Sequence, residues 1–138
     1  MNKSVRGVLK IDDFVLLIKR KKDNELYFVF PGGHKKEEES DTETCKREFK
    51  EETNLDIIPI EHIEDIKEGT SFITSYYLCN LKKPINNNLL PKLKMTGPEV
   101  EKDQSKNYYK PLWVKTRELK GKTIYPKSIV KMIMNGEI

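Results

Sequence analysis

Residues 30–55 read FPGGHKKEEESDTETCKREFKEETNL, and this stretch contains the clearest helix of the chain. A capping box predicts where the helix begins, because Ser40 is followed three residues later by Glu43. Good helix formers continue from there to Glu52. Cys45 and Phe49, at i and i+4, are expected to pack this helix onto the sheet. Thr53 and Asn54 are expected to end the helix, since Asn is second only to Gly at a left-handed C-terminal position.

Three glutamates of this helix, Glu48, Glu51 and Glu52, are spaced i, i+3 and i+4, so they share one face. Like charges at this spacing destabilise an isolated helix, and a bound cation would offset their repulsion. Hard oxygen ligands that converge from one face suit Mg²⁺ or Mn²⁺. The simpler interpretation is a solvated acidic face, and the helix alone does not decide between the two.

The segments around this helix predict strands and one further helix. Alternating or apolar runs occupy residues 4–11, 14–18, 26–30, 57–63, 71–81 and 108–114. Residues 19–24 are interpreted as a polar connection and residues 31–33 as the end of the third strand, while Pro59 indicates an edge or a bulge. Pro126 opens a second helix at residues 127–135, and Gly136 closes it. The pattern indicates one mixed α/β domain, residues 1–138.

Composition narrows the class of protein. Hydrophobic residues are 36% of the 138 and charged residues 35%, which is typical of a soluble protein with a heavily charged surface. No window approaches the roughly 18 apolar residues of a membrane span, and the first residues do not form a secretory signal. Cys45 and Cys79 lack metal-type spacing and fit free thiols in a reducing compartment. We therefore expect a cytoplasmic protein without a membrane partner.

The spacing of the fixed positions in residues 33–55 resembles the Nudix box. Five residues separate Gly33 from Glu39, seven more precede Arg47-Glu48, and Glu51-Glu52 follow after two positions. The motif ends in glycine and an aliphatic residue; here Asn54 replaces the glycine, a mild departure because Asn tolerates the left-handed conformation. The chain is thus similar to the Nudix hydrolases, the MutT-like enzymes that cut nucleoside diphosphate-linked compounds. That resemblance implies an α/β/α sandwich with a mixed β-sheet.

The resemblance also implies roles for the matching residues. Glu48, Glu51 and Glu52 match the metal-binding carboxylates, and Gly33 matches the glycine whose backbone carbonyl joins the metal site. Arg47 matches the arginine that pairs with the box glutamates and orients them. Glu39 matches the first glutamate of the box, usually a partner of that arginine. Its other interpretation is an ordinary carboxylate near the helix N-terminus.

Residues outside the box are weaker candidates. Glu51 and Glu52 are possible general bases, and so are Glu99 and Glu101 from a later loop, which can equally be solvated surface charges. Arg6 can reach a phosphate from the first strand, or can simply be exposed. Base stacking needs an aromatic residue on the cleft wall. The aromatic residues available for it are Phe72, Tyr76, Tyr77, Tyr108, Tyr109 and Trp113.

The expected activity is metal-dependent hydrolysis of a phosphoanhydride in a small nucleotide-like substrate. Nucleoside triphosphates, nucleotide sugars, ADP-ribose and dinucleoside polyphosphates all remain open. The main alternative is a nucleotide sensor of the same fold that binds without cutting; an isoprenoid isomerase would need active-site Cys and Glu motifs that are not found. The net charge of +4 can attract polyphosphates, but no nucleic-acid recognition motif is present, so no nucleic-acid partner is expected. Homodimers are frequent in the family.

Overall fold

The computed structural model describes residues 2–85, 89–96 and 108–138. The elements of the described chain are eight strands, two α-helices and one 3-10 helix at Thr116–Gly121. The strands are β1 (Asn2–Ile11), β2 (Phe14–Lys22), β3 (Glu25–Val29), β4 (Gly32–His34), β5 (Ile57–Glu68), β6 (Phe72–Leu81), β7 (Tyr108–Lys115) and β8 (Ile124–Tyr125), and the helices are α1 (Asp41–Thr53) and α2 (Lys127–Met134).

The strands form one mixed sheet in the order β5-β6-β1-β2-β3-β8, with β4 paired to β1 and β7 paired to β2. β1 is the shared strand, since it runs parallel to β6 and antiparallel to β2 and β4. The pairing of β1 with β4 sets Val5 opposite Gly33 and Arg6 opposite Gly32. This register brings the glycines that precede α1 to the middle of the sheet.

The two faces of the sheet carry separate cores, as the alternation of side chains along a strand requires. On one face, Val5 and Leu9 of β1 pack with Cys45 and Phe49 of α1. On the other face, Val8 packs in the cluster that holds the buried residues of α2. The expected α/β/α sandwich is therefore confirmed, and so is the expectation that Cys45 and Phe49 attach α1 to the sheet.

Gly7 sets how closely α1 approaches the sheet. A Cβ at this position would lie 2.9 Å from Sγ of Cys79 and 3.0 Å from the Phe49 ring, tighter than packed side chains allow. A residue without a side chain is therefore required in β1 at the point where the helix crosses it.

Local sequence signals give both ends of α1 correctly. The Ser40 hydroxyl accepts from the backbone N–H of Glu43, and the Glu43 carboxylate accepts from the N–H of Ser40. At the other end, Asn54 adopts the left-handed conformation (φ 64°, ψ 19°), and its N–H donates to the carbonyl of Lys50. Asn54 thus performs the conformational role of the glycine that the box usually has.

Asn54→Ala is expected to destabilise the protein by about 1 kcal/mol, because a Cβ-bearing residue without the local hydrogen bonding of Asn is strained at positive φ. Asn54→Gly should change the free energy of unfolding by less than that. Urea unfolding of both variants beside the parent tests the expectation. Equal stability of the alanine variant and the parent would contradict it.

Several predicted boundaries were wrong. Residues 19–22 belong to β2 and not to the predicted polar connection 19–24, because the pairing of β2 with β3 extends to Lys22 opposite Glu25. The third strand does end before residues 31–33, as predicted, but Gly32–His34 then forms the additional strand β4 against β1. The 3-10 helix and β8 were not predicted. The long β5 lies at one end of the sheet order and is irregular around Pro59, as its proline indicated.

Smaller differences concern the strands with prolines and the second helix. Pro111 does not interrupt β7, because among the described strands β7 pairs with β2 alone and its other edge tolerates a residue without an N–H. α2 ends at Met134, one residue before the predicted Asn135, and Pro126 precedes its first helical residue as the N-cap. No helix in the described ranges is long and apolar enough to cross a membrane.

Candidate active site

Arg47 connects the loop before α1 with the acidic face of the helix. Its guanidinium forms two hydrogen bonds to Glu39, with Nε–Oε2 at 2.6 Å and Nη2–Oε1 at 3.0 Å. The same group donates to Oε1 of Glu48 at 2.9 Å and lies 3.5 Å from Oε2 of Glu51. A further bond from Nη2 to the carbonyl of His34 measures 3.0 Å. The planar guanidinium of Arg47 therefore holds the loop before α1 together with the carboxylates of Glu48 and Glu51.

The Arg47–Glu39 pair perturbs both groups. The hydrogen bonds from Arg47 lower the pKa of Glu39 to about 2, against an opposing effect of burial, and the N–H of Lys36 and the hydroxyl of Thr44 add to the lowering. The hydrogen bonds to Glu39 likewise raise the pKa of Arg47. Glu39 is thus held ionised, and its geometry is that of a partner of the arginine.

Glu39→Gln is expected to lower the free energy of unfolding at neutral pH by roughly 1–3 kcal/mol. Because the pKa of Glu39 in the folded state lies below its ordinary value of 4.5, its contribution is present above about pH 4.5 and is lost as the pH falls toward 2. Urea unfolding at several pH values tests this. The parent should lose more stability on acidification than the variant does, and the exposed Glu38→Gln control should follow the parent. Parallel curves for parent and Glu39→Gln would contradict the expectation.

Glu52 and Glu48 are held against the glycines of β4. Glu52 is 7% exposed, and its Oε1 accepts from the backbone N–H of Gly32 at 2.8 Å. Gly33 lies against Glu48, because a Cβ built on Gly33 would stand 2.5 Å from Cδ and Oε2 of that carboxylate. The absence of a side chain at position 33 is therefore what admits the Glu48 carboxylate.

These two carboxylates open onto a cavity of about 270 Å³. Two arginines share the cavity with them, Arg6 from β1 and Arg20 from β2. The lining comprises Arg6, Arg20, Val29, Gly32, Gly33, His34, Glu48, Glu52 and Tyr109. A cavity with anionic groups on one element and cations on two others can bind a metal ion and an anionic ligand side by side.

Both arginines are held in place by their neighbours. Nη1 of Arg6 donates to the carbonyl of Phe30 at 2.6 Å. The guanidinium carbon of Arg20 lies 4.3 Å from the ring centroid of Tyr109 and 5.5 Å from that of Tyr27, and its Nη2 lies 2.5 Å from the Tyr109 hydroxyl. Contacts of this kind keep a guanidinium oriented before a ligand arrives.

The oxygen donors at the cavity fit a hard divalent cation, although one of the three predicted carboxylates, Glu51, points elsewhere. Glu48 and Glu52 supply carboxylate oxygens beside the backbone of Gly33, which is the donor chemistry that Mg²⁺ and Mn²⁺ prefer. Glu51 does not line the cavity and lies instead toward Arg47. Within residues 2–85, 89–96 and 108–138, no three His, Cys, Asp or Glu side chains form a group that could hold a metal ion.

The remaining predicted candidates are distributed as follows. Arg6 lies at the cavity, whereas Glu99 and Glu101 lie outside the described residues. Arg20, Tyr109 and His34 line the cavity but were not singled out as a group. Cross-strand pairing of Arg20 with both Tyr27 and Tyr109 brings this wall together, and no local sequence signal indicates that pairing.

Of the aromatic residues predicted as candidates for base stacking, one lies at the cavity and the other described ones lie elsewhere. Tyr109 reaches the cavity, whereas Tyr76 is buried in the core on the α2 side. The Tyr77 hydroxyl donates to Asp41, and the Trp113 ring N–H donates to the carbonyl of Pro91. Phe72 packs edge-on against His34. The side chain of Tyr108 lies outside the described part of the structure.

Comparison with known proteins identifies the family of the chain and agrees with its fold. The family model described as NUDIX domain matches residues 1–128. The chain therefore belongs to the NUDIX domain family, and its class is that of the Nudix-type pyrophosphohydrolases. Enzymes of this class generally use a divalent metal. No curated protein matches the chain by sequence.

Solved structures resemble the chain in fold at low sequence identity. A NUDIX hydrolase from Nitrosomonas europaea is 19% identical with a TM-score of 0.70, over 99% of this chain and 88% of that one. A NUDIX-family hydrolase from Clostridium perfringens is 19% identical with a TM-score of 0.67, over 97% and 94%. An ADP-ribose pyrophosphatase from Streptococcus suis is 17% identical with a TM-score of 0.60, over 90% and 79%.

Proposed function

We propose that the protein hydrolyses a phosphoanhydride bond in a nucleoside diphosphate-linked substrate, with Mg²⁺ or Mn²⁺ as cofactor. The observation that carries the proposal is the cavity in which Glu48 and Glu52 of α1 face Arg6 and Arg20 of the sheet. A diphosphate bound to a divalent cation presents both kinds of charge, and this cavity complements both. The substrate class includes (d)NTPs, ADP-ribose and nucleotide sugars.

In this proposal, the arginines bind the substrate phosphates and α1 binds the metal. Arg6 and Arg20 project into the cavity from strands and are oriented by Phe30 and Tyr109. Glu48, Glu52 and the carbonyl of Gly33 would hold the cation, and Glu51 would join them after moving away from Arg47. The bound metal would neutralise charge on the phosphates. It would also lower the pKa of a water molecule, which can then lose a proton and attack phosphorus.

Proton removal from the attacking water is assigned to a box glutamate. Glu52 is the candidate nearest the cavity, because its buried carboxylate lies at the lining with one oxygen occupied by the N–H of Gly32. In that role it would leave the cation to Glu48, Glu51 and Gly33. Glu51 is the second candidate. Arg47 acts as a positioning residue, since it holds Glu48 through Oε1 and does not itself line the cavity.

A nucleotide sensor without turnover is the second candidate function. One observation favours it: Arg47 engages both Glu48 and Glu51, so the three box carboxylates do not converge among the described residues. The sensor would use the same cavity and the same two arginines. It differs from the hydrolase only in whether a metal brings the carboxylates together.

A substrate panel separates the two functions. The protein is incubated with a nucleoside triphosphate, ADP-ribose, a nucleotide sugar and a dinucleoside polyphosphate, each with Mg²⁺, Mn²⁺ or a chelator. Release of phosphate or nucleoside monophosphate that requires the metal supports the hydrolase. Thermal stabilisation by one compound without product, at every metal condition, would support the sensor and contradict the hydrolase.

We further propose that residues 1–138 act as one domain in the cytoplasm on a small-molecule substrate. The two core clusters support a single domain, because both helices pack on the same sheet. A homodimer is proposed by analogy with the family. Size-exclusion chromatography with light scattering tests it.

A further inference from the structure

A second concave surface lies on the far end of the sheet from α1, and we call it the lysine groove. It has a volume of about 600 Å³ and lies between the 3-10 helix, β8 and α2. Its lining comprises Leu119, Lys120, Lys122, Thr123, Ile124, Tyr125, Lys127, Val130, Lys131, Met134 and Asn135. None of these residues lines the cavity of the proposed hydrolysis, so the groove is a separate surface.

The charge of the lysine groove is one-sided. Its lining includes four lysines and no acidic residue. Residues 119–136 likewise contain four lysines and no Asp or Glu, and the two flanking acids, Glu118 and Glu137, do not line the groove. In the described ranges, the ion pairs found involve none of these four lysines. Their charge is therefore available to an anionic partner.

The floor of the groove is apolar and partly exposed. Met134 is 48% exposed and Tyr125 is 49% exposed, beside the buried Ile124. On α2, Val130 and Met134 are spaced i, i+4, and so are Lys127 and Lys131, which places an apolar stripe next to a cationic one. Methionine is a residue that adapts to varied apolar partners at recognition surfaces. The groove thus offers apolar contact and positive charge side by side.

We propose that the lysine groove binds an acidic amphipathic peptide segment of a partner protein. The carboxylates of such a segment would pair with the lysine rim, and its apolar side chains would cover Val130 and Met134. A nucleic-acid backbone would use the lysines but leave that apolar stripe uncovered. The groove's exposed aromatic ring, Tyr125, already packs edge-on with Tyr27 at 5.9 Å between centroids, which does not form a platform for successive bases.

Binding of a synthetic probe tests the proposal. A fluorescein-labelled peptide of alternating glutamate and leucine is titrated with the full chain, and anisotropy gives the Kd. Lys127→Glu combined with Lys131→Glu should raise the Kd by at least about tenfold through charge reversal. The matched control combines Lys82→Glu and Lys83→Glu, two exposed lysines after β6 with the same change in net charge. Its Kd should stay within about twofold of the parent.

Two further measurements address the apolar floor and folding. Met134→Ser should raise the Kd about fivefold, because it removes an exposed apolar contact without changing charge. If the charge-reversed variant unfolds, Lys127→Gln with Lys131→Gln replaces it. Hydrolysis of the panel substrate should be unchanged in each folded variant, since neither cavity shares residues with the other.

Four outcomes would overturn the proposal. The first is no saturable binding of the peptide, and the second is equal weakening in the control variant, which would indicate diffuse attraction. The third is equal affinity for a peptide with serine in place of leucine. The fourth is tighter, groove-dependent binding of single-stranded oligothymidylate, which would make the partner a nucleic acid.

Discussion

Glu52→Gln is expected to lower kcat at least about 10³-fold and to leave the fold intact. The amide oxygen of glutamine can still accept from the N–H of Gly32, which Glu52 does at 2.8 Å, so the local hydrogen bond survives. What disappears is the negative charge at the cavity, and with it the proposed metal ligand or the proposed base for the attacking water. The variant therefore separates the chemical role of this side chain from its structural one.

The measurement is kcat on the best substrate of the panel, with circular dichroism melting to confirm folding. Glu61→Gln makes the same chemical change on the exposed face of β5 and should retain parental kcat. If Glu52→Gln does not fold, Glu48→Gln tests the same cavity. Parental activity in a folded Glu52→Gln variant would show that the assigned roles are wrong.

Gly33→Ala is expected to lower kcat/KM about 10²-fold, the effect of misplacing a reacting group by about 1 Å. The new Cβ would stand 2.5 Å from Cδ and 2.8 Å from Oε1 of Glu48. Glu48 cannot simply turn aside, because its Oε1 also accepts from Arg47 at 2.9 Å. The methyl group must therefore displace the carboxylate or the strand, and either change disturbs the proposed metal site.

Gly121→Ala is the matched control for this substitution. A Cβ at Gly121 would meet no atom within 4 Å, so the control carries the same change in backbone entropy without a clash. Steady-state kinetics and the metal concentration for half-maximal activity should both shift in Gly33→Ala and not in the control. Parental values in Gly33→Ala would mean that Glu48 works from a position other than the one described.

Sequence reasoning succeeded where the determining interactions are local. The capping box at Ser40, the left-handed Asn54 and the contact of Cys45 and Phe49 with the sheet all depend on spacings of a few residues. The α/β/α arrangement was implied by the box and is confirmed. Such features are fixed by hydrogen bonds and side-chain periods that are readable along the chain.

The features that were missed depend on partners distant in sequence. β4 forms because Gly33 pairs with Val5, and no sequence pattern within residues 31–34 predicts a strand. The cavity wall of Arg20 and Tyr109 arises from residues 89 positions apart. The direction of Glu51, which lies with Arg47, is a rotamer choice that spacing alone does not determine. The predicted site therefore differs from the observed one where strand pairing between distant residues or a choice of rotamer decides the geometry.

The cavity takes its carboxylates from a helix and its arginines from strands, and this arrangement bears on how related sequences can diverge in substrate. The carboxylates come from one helix whose position is constrained by Gly7, Gly33 and Arg47. The groups that would read the substrate come from the strands, among them Arg20 and Tyr109. Under the proposed function, substitutions in β2 and β7 would thus alter the choice of substrate while the helix that carries the carboxylates stays fixed. Selection can act on recognition and on chemistry at separate positions of the same small domain.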